Sequence, residues 1–191
     1  MQLIIDTSLP GIRLAIDNVG AHICAPGREY APLQKSIETD RQSVALPVEV
    51  EKFLGENFAA FRDLSAIGVV IGPGSFTGIR LGIAYAKGLS IALGIPVLPV
   101  SAFEIYLENN PDAFVAIDSG RGDFFVAAAD MEPTIMTIDE VETEQMQYAA
   151  TVGHRPYDLA GALPVLRRKL ELETPPVIPL YIRPHYAETA C

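Results

Sequence analysis

Tryptophan is absent from these 191 residues, and only two cysteines and three histidines occur. Cys24 and Cys191 stand far apart, with no C-x-x-C or other zinc spacing, which excludes a disulfide-built scaffold and fits a reducing compartment. His22, His154 and His185 are isolated and lack metal-ligand spacing, so no resident metal is expected. Positive charge is scarce: 14 Lys and Arg against 24 Asp and Glu give a net charge of −10. Nucleic-acid affinity rests largely on neutralising phosphates, so this chain is not expected to hold RNA or DNA by itself. No hydrophobic run reaches the roughly 18 residues of a membrane span, because Arg80 and Lys87 interrupt the most apolar stretch. Met1 to Asp6 has no basic leader, meets an acid at once, and is read as a strand rather than a signal peptide.

What is present is material for a core. Hydrophobic residues make up 49% and charged residues 20%, a balance that excludes disorder and allows one domain or two small ones. The acidic excess lies in the second half. Residues 1–100 carry 8 basic and 9 acidic side chains, whereas 101–191 carry 6 and 15. Asp130, Glu132, Asp139, Glu140, Glu142 and Glu144 form one unopposed stretch, read as a solvated face.

Leu3 to Ile5 reads as a buried strand ending in Asp6 and two hydroxyls, Thr7 and Ser8, before Pro10-Gly11 turns the chain. Ile12, Leu14 and Ile16 alternate with Arg13, Ala15 and Asp17, the period of a half-buried strand. His22 to Ala25 gives a third strand of an antiparallel meander. Arg41 to Asn57 is predicted helical, capped by Asp40 or Ser43, with Leu46, Val50, Phe53, Leu54 and Phe58 on one face. A continuous apolar strand follows at Ile67 to Ile71, then Gly72-Pro73-Gly74-Ser75-Phe76-Thr77-Gly78, a helix from Thr77 to Leu93 stopped by Gly94, and a short strand at Ile95 to Val100. The order βββαβαβ predicts a mixed sheet with an antiparallel edge.

The opening then repeats. Ile117-Asp118-Ser119-Gly120 echoes Ile5-Asp6-Thr7-Ser8, and further strands are expected at Asp123 to Ala129 and Thr134 to Ile138. This implies a duplication: a first half over 1–100, a linker helix in 101–111 with Phe103, Tyr106 and Leu107 inward, and a smaller second half over 112–191. A last helix between Tyr157 and Glu171 is interrupted at Pro164.

The glycine-rich segment joins a strand to a helix, where backbone N–H groups attract anions. Gly72, Gly74 and Ser75, with Asp6, Thr7 and Asp118, are therefore candidate phosphate or nucleotide contacts. The segment is neither a P-loop, since no Lys-Ser/Thr follows, nor a dinucleotide fingerprint, since its third glycine falls one residue late. Ser75 is not in a G-x-S-x-G elbow and reads as a helix cap, with Thr77 as competitor. Asp6 and Asp118 suit Mg²⁺-phosphate held through water, or equally hydrogen bonds from their own turns. No catalytic set can be assembled from spacing. Gly78, Gly82 and Ala86 recur every fourth residue, a bare stripe that packs either on the chain's own sheet or against another subunit.

The Gly-Pro-Gly-Ser-Phe-Thr-Gly string with Ile79-Arg80-Leu81-Gly82, the amino-terminal Ile-Asp-Thr-Ser, Ile117-Asp118 with Gly122, and Tyr181-Ile182-Arg183 together resemble the TsaB (YeaZ) family. The resemblance covers 1–131 well and 175–186 weakly. It implies an α/β fold: a duplicated ribonuclease-H-like, actin/Hsp70-type (ASKHA) arrangement of two small domains with mixed sheets, the second reduced. It also implies a cytoplasmic, non-catalytic subunit of the machinery that forms threonylcarbamoyladenosine on tRNA next to the anticodon. Such a subunit pairs with a TsaD-like catalytic paralogue, joined by a TsaE-like ATPase, and self-associates through its first two helices. Carried onto this chain, the pairing surface comprises Val44, Leu46 and Val48 from the first helix and Gly78, Gly82, Ile83 and Ala86 from the second. No cofactor is expected on the isolated chain; ATP or ADP and Mg²⁺ belong to the complex, and tRNA is met only through it. Three departures stand out: Arg41-Gln42 where the family often has His followed by Ser or Thr, Asp118-Ser119-Gly120 in place of Asp-Ala-Arg, and no Gly-Gly adenosine motif. The competing readings are an ATPase or phosphotransferase of the same fold using Asp6, Asp118 and the glycine loop, and a glycoprotease-like peptidase.

Overall fold

β1 (Gln2–Asp6) and β2 (Ile12–Ile16) pair antiparallel around the Pro10-Gly11 turn, with Leu3 opposite Ile16 and Asp6 opposite Arg13. The computed structural model describes residues 1–17, 32–153, 156–172 and 175–182. The strand expected at His22 to Ala25 lies outside them. Among the described residues the third strand is β3 (Leu33–Ile37), an exposed edge strand that pairs with β2. Its sequence, Leu-Gln-Lys-Ser-Ile, carries little strand signal because one edge and one face meet solvent.

α1 (Gln42–Glu56) follows, with Leu46, Val50, Phe53 and Leu54 buried. Neither Asp40 nor Ser43 caps it: Arg41 holds the N-cap position without a side-chain bond. Phe58 is not on the inner face. The helix ends before it, and Phe58 turns outward in a left-handed conformation (φ 56°), 87% exposed. β4 (Ala66–Val70), α2 (Phe76–Leu93) and β5 (Val97–Val100) complete the first half. β1, β4 and β5 run parallel, giving the sheet order β3-β2-β1-β4-β5.

The plan repeats after α3 (Ala102–Asn109), whose Ser101 and Glu104 form a capping box. β6 (Ala113–Asp118), β7 (Asp123–Ala128) and β8 (Met131–Thr137) form a second meander, and β9 (Ala150–Val152) runs parallel to β6. The order β8-β7-β6-β9 matches β3-β2-β1-β4 strand for strand. Only the seven-residue α4 (Ile138–Glu144) stands where the first half has the 15-residue α1. The fold is the duplicated ribonuclease-H-like arrangement, with the second copy reduced.

Helices α1 and α2 cover the outer face of the first sheet over Leu3, Ile5, Leu14, Ile67 and Val69. Its other face meets α3 and α5 (Ala162–Leu170), which share one core with Val115 and Ala127 of the second sheet. Pro164 sits in the first turn of α5, where a missing N–H costs nothing. α5 is bound to the first half and to α3 by polar contacts as well: Lys169 donates to the Pro99 carbonyl at 2.7 Å and pairs with Glu104, Arg168 pairs with Glu108, and Arg167 reaches Asp17 at 3.5 Å. Both faces of the first sheet are therefore buried. Among the described residues no helix is long and apolar enough to cross a membrane.

Candidate functional site

Asp6 ends β1, and its cross-strand neighbour in the hairpin register is Arg13. Neighbours opposite one another on a sheet share a face, so the pair meets directly: Arg13 Nη2 lies 3.1 Å from Asp6 Oδ2, with the carboxylate fully buried. Tyr157, from the segment leading into α5, donates its hydroxyl to the same oxygen at 2.9 Å. Ser8 donates through its backbone N–H (2.8 Å) and Oγ (2.6 Å) to Oδ1. The Arg13 guanidinium also lies over the Tyr157 ring, 4.2 Å from its centroid, and Tyr106 meets that ring edge-on. Burial pushes the Tyr157 phenol well above its ordinary range; the Asp6 charge adds to this and Arg13 opposes it. Both oxygens of Asp6 are thus engaged by the chain itself. The reading of Asp6 as a free Mg²⁺-phosphate ligand is corrected accordingly.

The glycine segment is a packing seam. Thr7 Oγ1 donates to the Gly78 carbonyl at 2.7 Å, and the Ser75 N–H donates to the Ser8 carbonyl at 2.7 Å. A Cβ at Gly74 would strike the Ser8 carbonyl, one at Gly78 would strike the Thr7 carbonyl, and one at Gly82 would lie 2.5 Å from Thr7 Oγ1. Glycine is required because the first turns of α2 lie directly on the end of β1. Ser75 Oγ accepts from the Gly78 N–H, so Ser75 rather than Thr77 is the cap. Gly72 is buried; its carbonyl accepts from Ala102 N–H, and the neighbouring Ile71 carbonyl accepts from Leu180 N–H. The structure brings the candidate phosphate contacts Thr7, Gly72, Gly74 and Ser75 together around the end of β1; Thr7 bonds to Gly78 and Ser75 to Ser8 and Gly78, while Gly74 and Ser75 lie exposed. Asp118 is exposed and accepts from Gly120 N–H at 2.7 Å, the turn-capping alternative. No hydrogen bond or ion pair joins it to Asp6 among the described residues. The described residues contain no His/Cys/Asp/Glu group arranged for a metal ion.

The seam also decides which way α2 faces. Gly78, Gly82, Ile83 and Ala86 are buried against Thr7, Val69 and the first core, so they are removed from the expected pairing surface. Leu46 is removed as well, being fully buried on α1. Val44 (71% exposed) and Val48 (60%) do lie on the surface. On α2 the outward face comprises Phe76, Arg80, Ala84, Lys87, Gly88 and Ile91, all exposed. A Cβ at Gly88 would meet nothing within 4 Å. The helix therefore carries two small-residue stripes, 78/82/86 inward and 84/88/92 outward. Arg80 and Lys87 mark the outer one, a signal that was available in the sequence.

Two further residues have roles that the sequence reading does not assign. Gln42 ties α1 to the β1–β2 turn, its Nε2 donating to the carbonyls of Thr7 (3.2 Å), Leu9 (2.9 Å) and Gly11. It stands where the family often has a hydroxyl residue. Tyr157 lies some 150 residues from Asp6 and gave no local sign of its partner.

A family model described as TsaD: tRNA N6-adenosine threonylcarbamoyltransferase matches residues 37–180. The tRNA threonylcarbamoyladenosine biosynthesis protein TsaB of Escherichia coli K12 is 30% identical over 168 residues, covering 83% of this chain and 67% of that protein. The Bacillus subtilis TsaB is 43% identical over 65 residues, 34% of this chain and 28% of that protein. The tRNA N6-adenosine threonylcarbamoyltransferase of Clostridium kluyveri is 29% identical over 98 residues, or 51% of this chain, and the match spans only 29% of that enzyme's length. Among solved structures, a Pseudomonas aeruginosa protein described as similar to peptidase YeaZ superposes with a TM-score of 0.73 at 21% identity, covering 95% of this chain and 99% of that one. Repeat, glycine seam and relatives agree: the chain belongs to the TsaB (YeaZ) family.

Proposed function

We propose that this chain is a non-catalytic, activating subunit in cytoplasmic formation of threonylcarbamoyladenosine on tRNA. It acts by binding a catalytic paralogue related to the tRNA N6-adenosine threonylcarbamoyltransferases that it resembles. The observation that carries this is the outward face of α2. An 18-residue helix presents Ala84, Gly88 and Ile91 (84% exposed) to solvent, and α1 presents Val44 and Val48. Exposed apolar surface of this kind marks a protein–protein contact, and the open Gly88 lets a partner helix approach closely. The strand-end carboxylate that an ATPase of this fold would need free is held by Arg13, Tyr157 and Ser8. A TsaE-like ATPase, with ATP or ADP and Mg²⁺, joins at the level of the complex, and tRNA contact is left to the partners.

The test is reconstitution. Paralogue, ATPase, threonylcarbamoyl-adenylate and tRNA are combined with and without this chain, and modified nucleoside is measured. Product is expected only when the chain is present. Equal product without it, or Mg²⁺-dependent nucleotide turnover by the chain alone, would overturn the proposal.

A further inference from the structure

Thr7 is bonded to both helices of the outer layer. Its hydroxyl donates to the Gly78 carbonyl in the first turn of α2, at 2.7 Å, and its own carbonyl accepts from Gln42 Nε2 in the first turn of α1, at 3.2 Å. Shape backs the first bond, because Gly78 lies so close to the Thr7 carbonyl that a Cβ there would strike it. The second is one of three. Gln42 Nε2 also donates to the carbonyls of Leu9 (2.9 Å) and Gly11. Thr7 and Gly11 are buried, and among the described residues no other donor meets any of these three carbonyls. A carboxamide has two N–H groups, so both are engaged and one is shared.

Little else of polar kind fixes this end of α1. Arg41 at the N-cap supplies no side-chain bond. The other ties of the helix body lie further along, where Lys35 of β3 reaches Glu49 and Glu56. Apolar contacts seat α1 and α2 on the sheet, but among the described residues no hydrogen bond or ion pair joins one helix to the other. Only the turn between β1 and β2 makes directed bonds to both. We propose that Gln42 is a positioning residue for partner binding: through Thr7 it holds the first turn of α1 in register with α2, and so sets where Val44 and Val48 stand relative to Ala84, Gly88 and Ile91. The inference rests on the function proposed above, which makes these residues the contact face. A contact face works by shape, so the bonds that hold it count alongside the side chains it exposes.

Donor chemistry separates this role from helix stability. Gln42→Glu keeps the length and shape of the side chain, and a carboxylate in the first turn favours the helix dipole. Helix energetics alone therefore makes it neutral or stabilising. As a donor to the turn it fails, because an ionised carboxylate has no N–H and turns acceptors toward three carbonyl oxygens. Gln42→Lys reverses both effects: its charge opposes the dipole, but an ammonium offers three donors to three carbonyls.

The experiment uses the full chain at about pH 8, where the introduced Glu is ionised. Hydrogen exchange is measured on the free chain, and affinity for the threonylcarbamoyltransferase of the same genome by calorimetry. Gln42→Glu and Gln42→Met are expected to speed exchange in the first turns of α1 and to weaken binding about 10-fold, whereas Gln42→Lys stays within about threefold of wild type in both. Should Gln42→Glu fail to fold, Gln42→Met carries the same expectation. Wild-type affinity in the variants without donors would overturn the inference, even with faster exchange, since Gln42 would then serve stability alone. Equal loss in all three variants would overturn it as well, making side-chain shape rather than donors the cause. Gly88→Leu, on the exposed face of α2, separates this inference from the function it rests on. If Gly88→Leu abolishes the heterodimer while the Gln42 variants bind normally, only this inference falls; if the wild-type chain does not bind the paralogue, both fall.

Discussion

Asp6 and Asp118 close the first strands of two copies of one plan, and each is followed by a hydroxyl residue, yet their surroundings are opposite. In the first half the hairpin register sets Asp6 against Arg13; in the second, the same register sets Asp118 against Phe124. Asp6 is buried and shared among Arg13, Tyr157 and Ser8, whereas Asp118 faces solvent and caps its own turn. A carboxylate can be buried only if cations and donors meet it there, and the hairpin partner decides whether one is at hand. The second difference lies in what covers each end. The first turns of α2 lie on Thr7 and Ser8, and the approach to α5 brings Tyr157 from the far side of the chain. Among the described residues β6 has no comparable helix on its end. The end of β1 is closed beneath α2; the end of β6 is open to solvent.

The largest effect should come from filling the seam that closes the first half. Gly82→Leu places a Cβ 2.5 Å from Thr7 Oγ1 and 3.4 Å from Val69 Cγ2, with no room for the rest of the side chain. We expect loss of cooperative thermal unfolding, a cost above about 4 kcal/mol, from overpacking at a site that cannot relax. Gly88→Leu on the outward face should leave the melting temperature within a few degrees and act on partner binding alone. Equal melting curves for the two variants would refute the assigned orientation of α2.

The strand ends come next. Asp6→Ala strands the Arg13 guanidinium, 8% exposed, without its counter-charge, and breaking a buried pair in this way costs about 3 to 5 kcal/mol. Asp118→Ala removes one exposed turn bond and should cost about 1 kcal/mol or less. Urea denaturation of the two variants measures the difference. A gap under about 1 kcal/mol would mean that the halves are less unlike than their geometry indicates.

Much of this was legible in sequence, and the remainder failed for identifiable reasons. The apolar runs, Pro10-Gly11, the glycine string and Gly94 gave the element order and the duplication, because each acts locally. The alternation of Ile12, Leu14 and Ile16 with Arg13, Ala15 and Asp17 predicted one wet face for β2. Both faces are buried, since the turn before α5 and α5 itself return to cover the second one. β3 was hidden by its exposure at an edge. The choice between two small-residue stripes on α2 is legible only from Arg80 and Lys87, which mark the outward one, because the rest of both faces is apolar or small. At the site, the Asp6–Arg13 pair follows from counting across the hairpin, whereas Tyr157 does not follow from any local count.

A last prediction isolates Tyr157 within the first strand end, with an effect smaller than that of Asp6→Ala. Its phenol is neutral in the folded protein, and burial, reinforced by Asp6, holds its pKa well above the ordinary value of about 10. The unfolded chain therefore loses this proton first as pH rises. The stability contributed by the neutral phenol is complete below about pH 10 and declines above it, until the folded group also ionises. One such proton steepens the fall by about 1.4 kcal/mol per pH unit. Tyr85, raised to about 12 chiefly by burial, adds a similar alkaline dependence that persists in any Tyr157 variant. Tyr157→Phe keeps the ring against Arg13 and Tyr106 but removes the bond to Asp6. We expect it to lower stability at neutral pH by about 1 to 3 kcal/mol, the worth of a hydrogen bond to a charged group, and to make the decline above pH 10 shallower by one proton. An unchanged alkaline slope in this variant would show that the hydroxyl is not held neutral against Asp6. The contrast between the two strand ends would then rest on Arg13 and Ser8 alone.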